Sequence, residues 1–367
     1  MSYGKTLTET IASPEEVAKN VARLRLVGAN GPEGGVNAKY PAYLPVWEKT
    51  KLPDWEEVPY VDPGTRATPD KRNLFVPGSK HREMTPAIGE EIWGVQLSHL
   101  SKEGLDDLAL LAAERGLLIF RDQDFKDIGP ERQLDTVRHF GRLHIHPTMG
   151  HPEGYPEMHV VYRDPKDSTI ARYTKPNEVS SVSSVNWHVD HTAEVQPPGI
   201  TFFFGLEVPA SGGDTLFVSA TEAYNRLSDE FKTRLEGLQV VHDNTDMLTH
   251  SASLGGPCRF SPQKRNHPLI RTHPVTKQKI LSIHQAHARR IFGYKKEESE
   301  YLFNFLNDVL VKGGDFQTRA HYEPGTVVVW DNRVVAHTAT YDFKAAHVAG
   351  DERRHMVRIA AMADVPV

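Results

Sequence analysis

The run Ile200-Thr201-Phe202-Phe203-Phe204-Gly205-Leu206 has the β-branched and aromatic composition of a buried β-strand. Similar short runs recur along the second half of the chain and are separated by turn-forming residues; they cover residues 215–218, 238–241, 279–283, 326–330 and 355–362. Many short strands with turns between them are typical of a β-sandwich or barrel. The sequence therefore predicts a mainly β fold with flanking helices and contains no internal repeat.

Three helices are predicted among these strands. Apolar residues recur at helical spacing in 102–115, where Gly116 follows as a stop signal, and again in 302–310. Another helix is predicted to begin at the capping box Ser219-Ala220-Thr221-Glu222. We expect these helices to pack outside the strands.

The first 80 residues are predicted to form an extension that precedes one large domain at residues 81–367. Ser13-Pro14-Glu15-Glu16 is a helix start, because it offers Ser as N-cap, Pro at the first helical position and Glu at the third. Residues 31–77 are rich in Pro, Gly and aromatic residues, as in Tyr40-Pro41-Ala42-Tyr43-Leu44-Pro45-Val46-Trp47. Solvated linkers rarely carry so many large apolar side chains, so we expect an ordered arm that lies on the domain.

Composition excludes several classes of protein. The 367 residues, 39% of them hydrophobic, are enough for a sizeable core. A formal net charge of −5 without long runs of either sign indicates neither a nucleic-acid partner nor a membrane partner. The lone Cys258 excludes an intrachain disulfide, a zinc ribbon and an iron–sulfur cluster. With no signal segment and no long apolar stretch, a cytoplasmic location is expected.

The segment Asn186-Trp187-His188-Val189-Asp190-His191 carries the first chemical motif. Side chains two positions apart in a strand share a face, so His188 and Asp190 would converge, whereas His191 would face the other way and be structural. An imidazole and a carboxylate make up two thirds of a 2-His-1-carboxylate metal site. His337, which follows a polar turn after the 326–330 strand, is the candidate third ligand; the alternative is an incidental loop histidine.

Two arginines follow on the last predicted strand, in Arg353-Arg354-His355-Met356-Val357-Arg358-Ile359-Ala360. Arg354 and Arg358 differ by four positions and would share one face, while Val357 and Ile359 would face a helix layer or another sheet. Guanidinium groups on an inner face are costly unless each meets an anion. The sequence leaves open whether those anions are ligands or internal carboxylates.

These motifs, in this order, resemble the taurine dioxygenase family of Fe(II)/2-oxoglutarate-dependent dioxygenases. Further matching segments are Thr85-Pro86-Ala87-Ile88-Gly89, Phe120-Arg121-Asp122-Gln123, Phe140-Gly141-Arg142-Leu143-His144-Ile145-His146-Pro147, Glu207-Val208-Pro209 and Gly212-Gly213-Asp214-Thr215-Leu216. The resemblance spans roughly residues 84–366 and implies a double-stranded β-helix, or jelly-roll, core in a catalytic domain. The Pro/aromatic arm is similar to that of fungal members often labelled sulfonate dioxygenases.

The resemblance implies a ligand set for the metal and the co-substrate. His188, Asp190 and His337 would bind Fe(II), with O2 taking an open position. Arg354 would pair with the distal carboxylate of 2-oxoglutarate, and Thr215 would add a hydroxyl hydrogen bond to that carboxylate.

It also implies a substrate site. His146 and Arg358 match positions that grip a sulfonate in the family. Ser184 and Val185 stand where the bacterial enzyme has Asn and Asp. The resemblance therefore implies a sulfonate in general rather than taurine in particular.

The implied reaction is hydroxylation of a small anionic substrate, an alkyl sulfonate, which yields an aldehyde and sulfite together with succinate and CO2. The same chemistry on a sulfate ester, an aryloxy acid or another carboxylate is an alternative. Two interpretations come from other classes: a zinc hydrolase, which has no use for Arg354 and Arg358, and a non-catalytic 2-oxoglutarate-binding jelly-roll protein. A homo-oligomer is expected by resemblance only.

Overall fold

A computed structural model describes residues 38–163, 185–283, 286–340, 342 and 353–367. The strands of this part of the chain are β1 (Lys80–Glu83), β2 (Glu90–Trp93), β3 (Leu117–Phe120), β4 (Met158–Arg163), β5 (Pro198–Glu207), β6 (Thr215–Ser219), β7 (Gln239–Asp243), β8 (Lys264–Pro268), β9 (Ile270–Thr272), β10 (Lys279–Leu281), β11 (Ala288–Ile291), β12 (Gln317–Ala320), β13 (Val327–Asp331), β14 (Val335–Ala339) and β15 (Arg354–Met362). The helices are α1 (Lys102–Arg115), α2 (Pro130–Arg138), α3 (Ala220–Asn225), α4 (Asp229–Leu235), α5 (Thr245–Ser253) and α6 (Lys296–Lys312).

The strands form two sheets that face each other and two smaller ones. The major sheet has seven strands in the order β1-β2-β3-β13-β5-β15-β4, antiparallel except where β2 runs parallel to β3. The minor sheet is antiparallel and has the order β12-β6-β14. The smaller sheets are β11-β7-β8 and β10-β9. The predicted mainly β fold with flanking helices is confirmed.

Alternation along the strands of the major sheet separates an outer core from an inner core. Phe202, Val357 and Ile359 belong to the outer core, which also contains apolar residues of α1 and α2. Phe203 and Met356 belong to the inner core, together with residues of the minor sheet. Val357 and Ile359 thus face a helix layer, as predicted, and the even-numbered positions of β15 face the space between the two sheets.

The predicted helices are present, with capping that explains their bounds. α1 has the predicted bounds: the hydroxyl of Ser101 accepts from Gly104 N–H at its start, and Gly116, at φ 72°, ends it. α3 begins after Ser219, whose hydroxyl accepts from Glu222 N–H. The helix predicted at residue 13 lies outside the described residues. Among those described, no helix has the length and apolar character needed to span a membrane.

Residues 38–77, the described part of the predicted arm, lie against the domain. Tyr43 is 5% exposed, joins the outer core and donates from its hydroxyl to Gln133 Oε1 at 3.0 Å. Asp62 forms a buried ion pair with Arg333, at 2.6 Å, and Arg333 also pairs with Asp364 at 3.1 Å. These contacts tie the arm to the turn before β14 and to the segment after β15. The division of the chain at residue 80 stays a prediction.

Candidate active site

The three predicted metal ligands lie together at the edge of the minor sheet. His188 pairs with His337 of β14 in an isolated antiparallel bridge, in which His188 N–H donates to His337 O at 2.9 Å and His337 N–H donates to His188 O at 2.8 Å. The Nε2 atoms of both histidines are 3.8 Å from carboxylate oxygens of Asp190. One nitrogen of each histidine and one oxygen of Asp190 all lie within 4.8 Å of one another, which suits a divalent cation.

The prediction that His188 and Asp190 share one strand is wrong in detail. After the bridge at His188 the chain turns at Asp190. The side chain of Asn332 holds this turn, because its Oδ1 accepts from Asp190 N–H at 3.0 Å and its Nδ2 donates to Asp190 O at 3.1 Å. The turn, rather than strand alternation, directs the carboxylate toward the imidazoles.

The protonation states of the three side chains suit metal binding. Burial lowers the pKa of His337 to about 3, so its imidazole is neutral at neutral pH. Burial alone would raise the pKa of Asp190, but the guanidinium of Arg358, with smaller effects from His337 and His188, holds it below its ordinary value. His188 Nδ1 lies 2.8 Å from Asn186 O and so carries the proton, which leaves the lone pair on Nε2. Neutral imidazoles and an ionised carboxylate are the forms that bind metal ions.

Arg354 and Thr215 belong to a second group of side chains, between β15 and the minor sheet. Arg354 is 4% exposed, donates from Nε to Gly213 O at 3.1 Å, and has its guanidinium carbon 5.7 Å from the Phe203 ring centre and 5.8 Å from that of Tyr322. The hydroxyl oxygens of Tyr322 and Thr215 are 2.8 Å apart. Burial raises the pKa of Tyr322 to about 12, so its hydroxyl stays neutral. A buried guanidinium beside two hydroxyl groups is suited to a carboxylate.

Arg358 lies beside the metal ligands. Its Nη1 forms a buried ion pair with Asp190 Oδ2 at 2.7 Å, and its Nη2 is 3.2 Å from His191 Nε2. The sequence left open whether this arginine meets a ligand or an internal carboxylate. In the structure it meets an internal carboxylate, that of Asp190, which is also a candidate metal ligand. The prediction that His191 faces away from the candidate ligands is wrong, whereas its structural role stays a prediction. His191 adopts φ 52°, a left-handed backbone conformation that places its side chain against Arg358.

His144, His191 and Glu194 form a second buried cluster with donor atoms close enough for a metal ion. The contact with Arg358 argues against that use. A guanidinium only donates hydrogen bonds, so His191 Nε2 must accept and Nδ1 must carry the proton. Nδ1 then faces Glu194 Oε1 at 3.6 Å, and His144 Nε2 lies 3.0 Å from the same oxygen. Because a protonated nitrogen cannot bind a metal, the cluster is a chain of polar contacts that ends on Arg358.

His146 reaches the same region from the loop before β4. Its Nδ1 accepts from the backbone N–H groups of Thr148 and Met149, at 3.1 and 3.2 Å, so the proton resides on Nε2. Its ring centre is 4.6 Å from that of His191, which links it to Arg358. Arg259, 2% exposed, holds the loop by donating from Nη1 to His146 O and Met149 O, both at 2.8 Å.

The structure thus brings the predicted site residues into two groups of side chains between the sheets. One contains Arg354 and Thr215; the other contains the metal ligands with Arg358 and His146. Sequence reasoning missed Glu194 and Arg259, which come together with them only through tertiary contacts. The signal that His191 offered, its place next to Asp190, was misread because strand alternation was assumed.

Comparison with known proteins gives the family. The model of the family described as "Taurine catabolism dioxygenase TauD, TfdA family" matches residues 80–360. The chain belongs to that family. The predicted family, its dioxygenase class and the fold class are therefore confirmed.

Individual TauD/TfdA relatives cover most of the chain. The "Alpha-ketoglutarate-dependent sulfonate dioxygenase" of Saccharomyces cerevisiae is 42% identical over 90% of this chain and 79% of its own length. The "Alpha-ketoglutarate-dependent dioxygenase cnsM" of Penicillium expansum is also 42% identical, over 93% of this chain and 92% of its own length. A crystal structure of a taurine dioxygenase from Burkholderia xenovorans superposes with a TM-score of 0.63 at 26% identity and covers 79% of this chain and 91% of that one. Since two relatives of equal identity carry different names, the substrate has to be argued from the pocket.

Proposed function

We propose that this TauD/TfdA protein is an Fe(II)- and 2-oxoglutarate-dependent dioxygenase that hydroxylates an alkyl sulfonate at the carbon bearing the sulfonate group. The observation that carries the proposal is the pair of buried arginines on one face of β15. Arg354 lies in a pocket with two hydroxyl groups, and Arg358 lies beside the metal ligands. Two anion sites next to one metal site are what a dicarboxylate co-substrate and an anionic substrate require.

His188, Asp190 and His337 would hold Fe(II), because their donor atoms converge, the imidazole of His337 is neutral and the carboxylate of Asp190 is ionised. When bound, Fe(II) supplies O2 activation coupled to oxidative decarboxylation of 2-oxoglutarate to succinate and CO2. Three protein ligands leave coordination positions open for 2-oxoglutarate and O2. Asn332 and the bridge between His188 and His337 fix this ligand set before any cofactor arrives.

Arg354 would bind the distal carboxylate of 2-oxoglutarate, and Thr215 would donate a hydrogen bond to it. Phe203 and Tyr322 lie close to the guanidinium and exclude water from around it, which strengthens the charge–charge interaction. The Thr215 hydroxyl is oriented by Tyr322 at 2.8 Å. A zinc hydrolase would leave this pocket without a purpose.

Arg358 and His146 would bind the substrate anion. His146 offers a neutral Nε2–H donor, since burial and the neighbouring His159 hold its pKa well below the ordinary value. Arg358 supplies the positive charge, and Arg259, whose pKa burial lowers to about 10, adds a second cation at the same loop. The name of the yeast relative supports a sulfonate among the possible anions.

The product chemistry follows from the position that is hydroxylated. A hydroxyl group on the carbon bearing the sulfonate gives an adduct whose C–S bond breaks, leaving an aldehyde and sulfite. A sulfate ester hydroxylated at the corresponding carbon would give an aldehyde and sulfate instead. An aryloxy acid or another carboxylate would give neither sulfur product, and a non-catalytic binding protein would give no succinate.

A product assay separates these outcomes. The full chain, reconstituted with Fe(II), ascorbate and 2-oxoglutarate, is offered taurine, butane-1-sulfonate, pentane-1-sulfonate, hexyl sulfate and phenoxyacetate, and succinate, sulfite and sulfate are measured. We expect iron-dependent succinate with equimolar sulfite from at least one sulfonate. Sulfate from hexyl sulfate without sulfite from any sulfonate would move the proposal to sulfate esters, and no succinate with any compound would contradict enzymatic activity. That the protein is a homo-oligomer stays a prediction.

A further inference from the structure

His159 lies on the inner face of the major sheet, next to the residues assigned to the substrate. It lies on β4 directly opposite Arg358 of β15 in the antiparallel register, so the two side chains share one face of the major sheet. Both of its ring nitrogens are buried, and within the described part of the chain neither has a hydrogen-bond partner. A buried polar group in this condition is unfavourable and needs an explanation.

The neighbours of His159 are the residues assigned to the substrate anion. Its ring centre is 4.6 Å from that of His146, at an interplanar angle of 55°. Burial and the charge of Arg358 hold the pKa of His159 well below its ordinary value, so the ring is neutral and offers one N–H donor. Arg259, which holds the His146 loop, also has a buried Nη2 that meets no hydrogen-bond partner among the described residues. This wall of the pocket is therefore rich in unused donors.

The number of donors bears on the kind of anion that fits. A carboxylate presents two oxygens, whereas a sulfonate presents three in a tetrahedral arrangement. Arg358 and the Nε2–H of His146 can serve two oxygens, and His159 stands next to both residues with a free donor. We propose that His159 is a specificity-determining residue that donates a hydrogen bond to the third oxygen of a sulfonate group and so favours sulfonates over carboxylates. This inference rests on the proposed function.

The test compares two ligands of similar length, pentane-1-sulfonate and hexanoate. Their affinities are measured by anaerobic calorimetry on the full chain loaded with Fe(II) and 2-oxoglutarate. His159→Leu removes the donor at similar volume, and His159→Asn retains an N–H donor. The matched control is His355→Leu, since His355 is a buried histidine whose Nε2 lies 3.0 Å from Tyr43 O, on the opposite face of β15.

We expect His159→Leu to weaken pentane-1-sulfonate binding by about ten- to a hundredfold, the effect of losing one hydrogen bond to a charged group. Hexanoate binding should change much less, and His159→Asn should recover part of the sulfonate affinity. The thermal unfolding midpoint of the metal-free His159→Leu protein should be unchanged or higher, because an unsatisfied polar group has been removed. His355→Leu should instead lower the midpoint and leave the ratio of the two affinities unchanged.

Equal weakening of both ligands, or a fall in the unfolding midpoint that accounts for the loss, would mean that His159 is structural and would overturn the inference. So would an unchanged sulfonate affinity in His159→Leu while the unmutated protein still releases sulfite; that result leaves the proposed function standing. Absence of sulfite from the unmutated protein with every sulfonate would overturn the proposed function and this role together.

Discussion

Arg358 Nη1 lies 2.7 Å from Asp190 Oδ2, so the arginine assigned to the substrate is paired with a carboxylate assigned to the metal. Both side chains are buried. Any cation that draws the charge of Asp190 to itself weakens the hold of that carboxylate on the guanidinium. Metal binding and anion binding should therefore favour each other.

Metal removal is expected to weaken sulfonate binding. In the metal-free protein the charge of Asp190 neutralises Arg358, whereas a bound divalent cation leaves Arg358 available for an anion. We expect Mn(II) to tighten the binding of pentane-1-sulfonate by about five- to a hundredfold, the usual range for coupled sites. Titrations with and without Mn(II), both with 2-oxoglutarate and no O2, measure this. Equal affinities would show that the ion pair does not couple the two sites.

The metal ligands should differ in their effect on stability. His188→Ala, Asp190→Ala and His337→Ala are each expected to abolish iron binding and turnover. Asp190→Ala should also destabilise the metal-free protein by about 3–5 kcal/mol, because it leaves Arg358 buried without a counter-charge. His188→Ala removes a part-exposed side chain and should cost less. Iron content and urea unfolding check both points; near-normal turnover in any of the three would refute the ligand assignment.

The two arginines of β15 should lose different ligands when replaced. Arg354→Ala is expected to raise the apparent dissociation constant of 2-oxoglutarate, and Arg358→Ala that of the sulfonate. Each loss is expected to cost about 2–5 kcal/mol of binding free energy, which is roughly thirtyfold to several thousandfold in the constant. Arg358→Lys should also be poor, since one ammonium group cannot keep the contacts with Asp190 and His191 while it binds the anion. Both constants are measured with the unfolding midpoint. Equal effects on the two ligands that track lost stability would contradict this division.

Glu194 should act on the substrate through His191. Its carboxylate favours a proton on His191 Nδ1, which leaves Nε2 free to accept from Arg358. Glu194→Gln keeps the shape and the acceptor for His144 but removes the charge, so Arg358 should be less well oriented. We expect the KM for the sulfonate to rise about tenfold, with the KM for 2-oxoglutarate unchanged and iron content normal. A parallel rise in both KM values would point to a general structural defect.

Buried neutral histidines should make the metal-free protein sensitive to mild acid. Burial lowers the pKa of His242 to about 3 and the pKa values of His267 and His355 to about 4. Below pH 6.5 the unfolded chain binds protons at these histidines that the folded protein does not. The free energy of unfolding should therefore fall as the pH drops from 6.5 toward 4, by up to about 1.4 kcal/mol per pH unit for each histidine. Urea unfolding at pH 7.5, 6.5 and 5.5 tests this, and a flat profile would contradict it.

Local patterns in the sequence were sufficient for several elements and for the candidate metal ligands. The helical spacing of apolar residues and a stop glycine predict α1 with the observed bounds, and the composition of the apolar runs predicts β5, β6, β13 and β15 to within two residues. The shared face of Arg354 and Arg358 could be predicted because two residues four positions apart on one strand point to the same side, whichever strands pair with it. His188 and Asp190 were found although the assumed strand is a bridge followed by a turn.

The rest depends on pairings that no local pattern contains. His159 faces the site because β4 pairs with β15 in one particular register, and a shift by one residue would turn it away. The side chain of Asn332 bends the chain at Asp190, and the positive φ of His191 follows one residue later. Glu194 and Arg259 become relevant only when the loop before β4 meets the segment after His188. Such contacts join residues that are far apart in the sequence, so the periodicity of apolar residues along the chain does not predict them.

The buried contacts of Arg333 have a consequence for the order of events during synthesis. Its guanidinium meets Asp331, two residues before it, and also Asp62, which precedes β1, and Asp364, which follows β15. A growing chain that has already exposed Arg333 therefore lacks one of its counter-charges until the segment after β15 has left the ribosome. β15, which lies between β5 and β4 in the major sheet and carries both arginines, arrives equally late. The native site can thus close only after β15 has emerged from the ribosome, and chains stalled before that point should depend on chaperones.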